Sequence, residues 1–292
     1  MVICKSSVLQ AARSGLASLD DPSITASALL GHVLGLTRAQ VLARPEALLT
    51  PEQATAFEAL VARAALGEPL AYLTGEREFY GLAFEVDPRV LVPRPETELL
   101  VDRARAARPA RVLDVGTGSG CIAIALAVSL PQALITATDL SAGALEVAAR
   151  NAQRHGVVQR VQFVLSDLLA FCSSNPSDIR LPTSDLSFPT SYFDLICANL
   201  PYIDPDALRT LPVSRFEPRL ALDGGPGGLV LIERLLRQAP AALAPGGFML
   251  LEIGASQGSA ALALARNTFP GASARIERDL AGLDRLLVIE TH

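Results

Sequence analysis

Residues 112–127 read VLDVGTGSGCIAIALA. An apolar run enters Gly116-Thr117-Gly118-Ser119-Gly120 and passes directly into a second apolar run. The first run reads as a buried strand and the second as a helix. Three alternating glycines between them ask for more than a tight turn. Glycine costs stability where it is not required, and it removes the Cβ that would keep a ligand away from the backbone. The start of a helix behind the loop also offers N–H groups with no intrahelical partner. This strand–loop–helix unit predicts an α/β sheet with a ligand at its edge.

Downstream of the loop, strands and helices alternate. Strand ALITATD precedes helix SAGALEVAARNAQRHG, and VQFVLSD precedes an irregular stretch. FDLICAN, helix LVLIERLLRQAPAAL, strand FMLLEIG and helix SQGSAALALARNTF follow, and ARIERDLAGLDRLLVIET closes the chain as a hairpin-like pair. Such alternation predicts a doubly wound sheet, here with an antiparallel element last. Residues 170–192, rich in Ser, Pro and Thr, read as a surface loop without chemistry.

Upstream the texture differs. From about residue 6 to 75, SSVLQAARSGL, DPSITASALLGHVLGL, TRAQVLARPEALL and PEQATAFEALVARAAL each carry apolar residues at helical spacing. Asp21-Pro22 and Thr50-Pro51 read as caps followed by a first-turn proline. EFYGLAFEVDPRVLVP contains two β-rich runs around a turn, and PRPETELLVDRARAA restarts a helix. The expected organisation is a helical domain over 1–75, a β-hairpin linker over 76–92 and an α/β domain over 93–292.

The totals narrow the class. In 292 residues half are hydrophobic and mean hydropathy is +0.35, yet no apolar run reaches the ~18 residues of a bilayer span. No membrane association is expected. A net charge of −5 gives no global attraction to nucleic acid, and Lys5 is the single lysine among the basic residues. Cys4, Cys121, Cys172 and Cys197 lack CxxC spacing, and His32, His155 and His292 lie far apart, so neither a metal site nor a disulfide framework is expected. A reducing cytoplasm fits. The first 19 residues lack acids and faintly resemble a transit peptide, but they read better as the first helix of the bundle.

Which ligand the glycine loop holds depends on its neighbours. Gly118-Ser119-Gly120-Cys121-Ile122-Ala123 satisfies G-x-G-x-x-A, a dinucleotide fingerprint. Asp139 ends the next strand 19 positions after Gly120, where a carboxylate can accept from both hydroxyls of a ribose. That reading suits a dinucleotide or an adenosyl ligand alike, and Asp139 alone also suits a helix start. Asp114, two residues before Gly116, completes a D-x-G-x-G-x-G run that resembles motif I of the class I methyltransferases. The antiparallel close of the sheet is similar to theirs as well. The resemblance implies a seven-stranded Rossmann-like sheet and S-adenosyl-L-methionine as cofactor. It further implies contacts from Asp114, Gly116, Thr117, Gly118, Ser119, Gly120, Asp139 and Leu140, with Asp167 and Leu168 at the adenine.

After the fourth strand the chain reads Asn199-Leu200-Pro201-Tyr202. It leaves the sheet at the carboxyl edge, where ligands collect in open α/β sheets. The four residues make chemical sense as a clamp for a planar NH₂ group. The Asn199 carbonyl accepts one N–H. Pro201 fixes the turn and holds Leu200 extended, aiming its backbone carbonyl at the second N–H. Tyr202 supplies a flat face. An amide or exocyclic amino nitrogen is a poor nucleophile, so placement carries much of the catalysis. Asn199 is also placed to meet the cofactor.

The tetrapeptide resembles the (N/D/S)-x-P-(Y/F/W) signature of amino-nitrogen methyltransferases. The segment GEPLAYLTGEREFYGLAFEVDPRVLVPRPETELLV, residues 67–101, and FEPRLALDGGPGGL, residues 216–229, closely resemble peptide chain release factor glutamine methyltransferases of the HemK type. The resemblance runs over nearly the whole chain, and Pro93-Arg94-Pro95-Glu96-Thr97-Glu98 is its most discriminating piece. It implies methylation of the glutamine amide in a release factor's Gly-Gly-Gln motif. Arg94 and Glu96 then join the substrate contacts, the helical domain becomes a docking surface, and a monomer with no direct nucleic-acid partner is expected. Taken alone, Arg94 reads equally as a structural ion pair, and Glu96 and Glu98 as first-turn acids. Three departures stand out. Leu200 replaces the usual first proline of Asn-Pro-Pro-Tyr, Gly227 stands where an acid is usual, and the 170–192 loop is longer and more polar than expected of the family.

The rivals differ in what they leave unexplained. Methylation of a ribosomal-protein glutamine or of an exocyclic amino group in DNA or RNA shares the clamp; the nucleic-acid enzymes should carry a basic groove. An NAD-dependent oxidoreductase leaves Asn199 to Tyr202 without a role. A non-catalytic cofactor-binding scaffold predicts a damaged clamp.

Overall fold

The computed structural model describes residues 3–173 and 192–292; most of the segment read as a surface loop lies outside the described residues. The chain divides into two units, Met1–Glu76 and Arg77–His292.

In the first unit, β1 (Ile3–Cys4) leads into α1 (Lys5–Gly15), α2 (Pro22–Leu34) and α3 (Arg38–Ala43). β2 (Leu48–Leu49), α4 (Pro51–Ala65) and α5 (Leu70–Thr74) follow. The stretch TRAQVLARPEALL, expected to be one helix, is helical only to Ala43. Pro45 cannot continue a helix and disfavours it in the residue before, so the chain turns out and pairs β2 antiparallel with β1. Thr50 closes a capping box with Gln53, its hydroxyl accepting from the Gln53 N–H at 3.2 Å while the Gln53 carbonyl accepts from the Thr50 N–H at 3.0 Å. Leu9, Leu16, Leu29, Leu30, Val41 and Phe57 form this unit's core.

β3 (Glu76–Phe79), which begins at the last residue of the first unit, and β4 (Leu82–Glu85) lead into the second. Tyr80 and Gly81 join them with φ of +53° and +72°, the left-handed pair that a two-residue hairpin turn needs. The hairpin read as a linker is packed into this unit: Phe79 and Phe84 are buried in its core, and the Glu85 N–H donates to Asn151 at 2.7 Å. After it come α6 (Glu98–Ala107), β5 (Arg111–Val115), α7 (Cys121–Ser129), β6 (Leu134–Asp139), α8 (Ala142–Arg154) and β7 (Val161–Leu165). β8 (Phe193–Ala198), a short α9 (Pro205–Leu208), α10 (Val230–Gln238), β9 (Leu243–Glu252), α11 (Gly258–Thr268), β10 (Ser273–Arg278) and β11 (Asp284–Glu290) complete it.

Seven strands form one sheet in the order β10-β11-β9-β8-β5-β6-β7. β9, β8, β5, β6 and β7 run parallel, and β11 lies antiparallel to both β9 and β10. The doubly wound sheet with an antiparallel last strand is therefore as expected. Alternation along the strands sends side chains to opposite faces. Val112, Leu195 and Cys197 join Ile124, Leu126 and Phe163 on one face. Leu113, Val115, Ile196 and Ala198 join Leu235, Leu236 and Ala261 on the other. Full burial of each large side chain stabilises by about 1.5–3 kcal/mol. α7 is apolar all round, with Ile122 to Ala127 buried, as suits a helix covered on every side. Among the described residues no helix is long and apolar enough to cross a membrane.

Candidate active site

Strand register assembles the site. Val115 stands beside both Thr138 and Ala198, and Ala198 beside Leu251. One residue on, Gly116, Asp139, Asn199 and Glu252 come level at the carboxyl edge of the sheet.

The glycine loop is tied down from within. The Gly116 and Thr117 N–H groups both donate to the Thr138 carbonyl, at 2.8 and 2.9 Å. The Gly118 N–H donates to Asp139 Oδ2 at 2.9 Å, and the Gly120 N–H to the Thr117 carbonyl at 2.8 Å. Four of the loop's five N–H groups, one each from Gly116, Thr117, Gly118 and Gly120, are thus engaged by the protein. Two of the glycines are demanded by close approach. A Cβ on Gly116 would lie 3.0 Å from Leu200 Cδ2, so the glycine loop and the Asn-Leu-Pro-Tyr turn touch here. A Cβ on Gly120 would lie 2.9 Å from Ile124 Cδ1 and 3.1 Å from Ala148 Cβ, where α8 packs against α7.

Beneath the loop lies Asp114, fully buried. The Thr117 hydroxyl donates to its Oδ2 at 2.6 Å, and the Cys197 thiol approaches its Oδ1 at 3.9 Å. Burial pushes the Asp114 carboxyl up to about 7, against the opposing pull of Thr117. Asp139 accepts from Gly118 on one oxygen and from the Ser141 N–H on the other at 2.8 Å. Burial raises its pKa too, and the N–H groups of Ser141, Gly118 and Leu140 work against the rise. Helix α8 is capped by Ser141, whose hydroxyl accepts from the Ala144 N–H, so Asp139 is not the cap.

A cavity of about 290 Å³ opens at this edge. Gly116, Thr117, Gly118, Ser119, Asp139, Leu140, Asp167, Leu168, Asn199, Leu200, Pro201 and Arg94 line it, as do Arg89, Thr97 and Arg234, which the sequence reading assigned nothing. Four of the residues read as site residues, Asp114, Gly120, Glu96 and Tyr202, are not among those lining it. Asp114 acts one layer below, on Thr117. Gly120 acts on helix packing. Asp167 has one oxygen held by Arg234 at 2.7 Å, and Leu168 is buried with φ of +51°.

The lining fits an adenosyl ligand better than a dinucleotide. Few loop N–H groups remain for a pyrophosphate, and the Asp139 carboxylate beside them would repel one. The two carboxylate oxygens of Asp139 offer about four acceptor sites, so beside its backbone N–H partners the side chain keeps capacity for a ribose hydroxyl. Ser119 and Thr138 also line the cavity, with buried hydroxyl groups.

On the other side of the cavity, Asn199 heads a chain of polar contacts. Its Nδ2 donates to Thr97 Oγ1 at 3.0 Å, and the Thr97 hydroxyl donates to Glu252 Oε2 at 2.7 Å. The Tyr202 hydroxyl reaches Glu252 Oε1 at 3.4 Å. Thr97 and Glu252 are each only 2% exposed. Burial lifts Glu252 to about 7 and Tyr202 to about 12. The backbone of Tyr202 is pinned by the glycine-rich segment that follows it. Gln257 Nε2 donates to the Tyr202 carbonyl at 2.9 Å, and a Cβ on Gly228 would fall 2.1 Å from that same oxygen. Arg94 forms an ion pair of 2.5 Å with Glu217, whose other oxygen accepts from the Val92 N–H at 3.1 Å.

Thr97, Glu252, Glu217 and Arg234 were not picked out from the sequence. Glu252 had a usable signal: a carboxylate ending the apolar run FMLLE at the carboxyl edge of the sheet.

Comparison with known proteins follows this geometry. Residues 7–75 match the PrmC N-terminal domain model and residues 95–181 the methyltransferase small domain model. The chain is 44% identical to the release factor glutamine methyltransferase of Chlorobaculum tepidum over 77% of this chain and 76% of that one. It is 42% identical to that of Moorella thermoacetica over 94% of this chain and 93% of that one. Among solved structures it is similar to a release factor-specific protein-(glutamine-N5) methyltransferase from Alicyclobacillus acidocaldarius. The identity there is 29%, over 72% of this chain and 99% of that one, with a TM-score of 0.41.

Proposed function

The chain belongs to the family of release factor glutamine methyltransferases, and from that premise we propose that it methylates the side-chain amide of the glutamine in the Gly-Gly-Gln motif of a peptide chain release factor. Its cofactor is S-adenosylmethionine, which supplies an electrophilic methyl group on a sulfonium. The observation that carries the reading of the site is the polarity of Asn199: its Nδ2 is committed inward to Thr97, which leaves Oδ1 for an incoming N–H.

The chain's own residues then divide the work. Asp139 and residues 116–119 would hold the adenosyl moiety, with Leu140, Asp167 and Leu168 at its base. Asp114 acts by holding Thr117. Asn199 Oδ1 and the Leu200 carbonyl accept the two N–H groups of the glutamine amide and orient its lone pair. Pro201 fixes that turn and Tyr202 offers the amide a flat neighbour. The amide nitrogen takes up the methyl group and gives one proton to water. Holding reacting atoms in near-attack geometry is worth on the order of 7 kcal/mol of barrier, so no dedicated base is called for. Arg94 borders the acceptor side, and Glu96 follows it in the chain outside the cavity lining. The helical unit serves as the docking surface for the factor, and the enzyme works as a cytoplasmic monomer without a direct nucleic-acid contact.

The test is transfer of labelled methyl to a release factor, beside the same factor with its Gly-Gly-Gln glutamine changed to alanine. Label on the first and none on the second is expected. Equal label on both, or label on a ribosomal protein or nucleic acid alone, would refute the assignment.

A further inference from the structure

We propose that Thr97 and Glu252 are positioning residues that decide which end of the Asn199 amide faces the acceptor, an inference that rests on the reading of Asn199 as the clamp's side chain. A carboxamide has two ends of nearly the same shape, one accepting and the other donating. A glutamine amide arrives with two N–H donors, so only the carbonyl end of Asn199 is productive. Nothing in Asn-Leu-Pro-Tyr itself makes that choice.

The chain behind Asn199 makes it. The Thr97 hydroxyl has one proton, and its neighbour Glu252, when ionised, can only accept. The proton therefore goes to Glu252 Oε2, at 2.7 Å. Thr97 Oγ1 is left as an acceptor, and Asn199 must turn Nδ2 toward it, at 3.0 Å. Oδ1 faces the cavity as a consequence. The second oxygen of Glu252 takes the Tyr202 hydroxyl, so one carboxylate orders both side chains of the clamp. Thr97 and Glu252 come from segments 155 residues apart, the turn before α6 and the end of β9. The link is built by the fold and cannot arise locally.

A glutamine at 252 keeps the shape but no longer forces the choice, because its amide has a donating end as well as an accepting one. Its NH₂ can donate to Thr97, whose proton then runs to Asn199 Oδ1, and Nδ2 swings to the cavity. Donor meets donor. Thr97→Val removes the hydroxyl at nearly constant volume, and Thr97→Ser restores it.

The experiment is steady-state methyl transfer to a release factor near pH 8, with affinity for S-adenosylhomocysteine measured by calorimetry on the same proteins. Thr97→Val and Glu252→Gln are each expected to lower kcat roughly 10- to 100-fold, in the range for losing a hydrogen bond to a charged group. KM for the factor and nucleoside affinity should stay within about twofold, and Thr97→Ser should return kcat to within about threefold, since the aligned bond is restored. Wild-type kcat in Glu252→Gln, or Thr97→Ser as slow as Thr97→Val, overturns the proposal. Should Thr97→Val fail to bind the nucleoside, Glu252→Gln and Thr97→Ser decide alone. Asn199→Ala at the wild-type rate would instead overturn the clamp itself.

Discussion

Arg94, which lines the cavity, and Glu217, 123 residues further along the chain, meet in an ion pair. The Glu217 side chain is 2% exposed and that of Arg94 34%. Removing the arginine strands a buried carboxylate, which in a fully buried pair costs about 3–5 kcal/mol. With the partial exposure of Arg94 the expected loss for Arg94→Ala is about 2–3 kcal/mol by chemical denaturation, discounting that buried-pair cost. Arg63, paired with Glu68 at 52% exposure, should cost less than about 1 kcal/mol when changed to alanine. Equal losses would show that burial of Glu217 is not what makes the pair matter.

Gly227 and Gly228 share almost one backbone conformation, φ +70° and +71°, and differ in what surrounds them. No atom lies within 4 Å of a Cβ placed on Gly227, whereas one on Gly228 would collide with the Tyr202 carbonyl at 2.1 Å. Gly227→Ala should cost about 1–2 kcal/mol, the strain of a left-handed L-residue. Gly228→Ala adds the displacement of Tyr202, so it should cost at least about 3 kcal/mol and abolish most activity. Thermal melts and methyl transfer on the two variants make the comparison.

Asp139→Ala tests the nucleoside side. Hydrogen bonds to a charged group contribute about 1.5–3 kcal/mol each, so affinity for S-adenosylmethionine should fall at least about tenfold by calorimetry, as one such bond implies. NAD should give no heat with the wild-type protein, because the loop's N–H groups are engaged. Measurable NAD binding would return the glycine loop to the dinucleotide reading.

Glu252 gives activity and stability opposite responses to pH. Burial and the nearby Glu96 raise it, and Arg285, Thr97 and Tyr202 lower it, with burial prevailing and a value of about 7. The ionised form is the one that sets Asn199, so kcat should rise with pH through about 7, and Glu252→Gln should remove that limb. Stability goes the other way. Glu252 and Asp114 have ordinary values of 4.5 and 3.8, and both are raised to about 7 in the folded chain. Their contribution is whole below the ordinary values and is lost as pH climbs through 7. Denaturation midpoints between pH 5 and 8 should therefore decline, less steeply in Asp114→Asn.

The sheet could be read from the sequence because strand and helix periods are local properties, and the glycine loop because three glycines in five residues have a local cost. Asn199, Leu200 and Pro201 line the cavity for the same reason: they end an apolar strand at the edge where sites form. What could not be read was depth and long-range pairing. Asp114 sits on the same strand as the lining residue Val115, but its side chain lies below the loop. The acceptor for two loop N–H groups is the Thr138 carbonyl, which belongs to a neighbouring strand and leaves no mark on residues 116–120. Thr97 was inside a quoted motif, and its role stayed hidden until Glu252 stood beside it. The helix expected through Pro45 failed because apolar spacing was allowed to outweigh proline.

A loop with four of its five N–H groups held by Thr138, Asp139 and Thr117 has little to gain by rearranging when a nucleoside arrives. Its shape is settled at folding, and the ordering entropy of five residues is absent from the binding step. Capture should thus be fast and governed by access at the mouth. Discrimination among nucleosides then rests with the side chains there, Leu140, Arg89 and Arg234. An inhibitor designed for this protein would find its selectivity at the rim, because the floor offers a fixed backbone and little else to distinguish it.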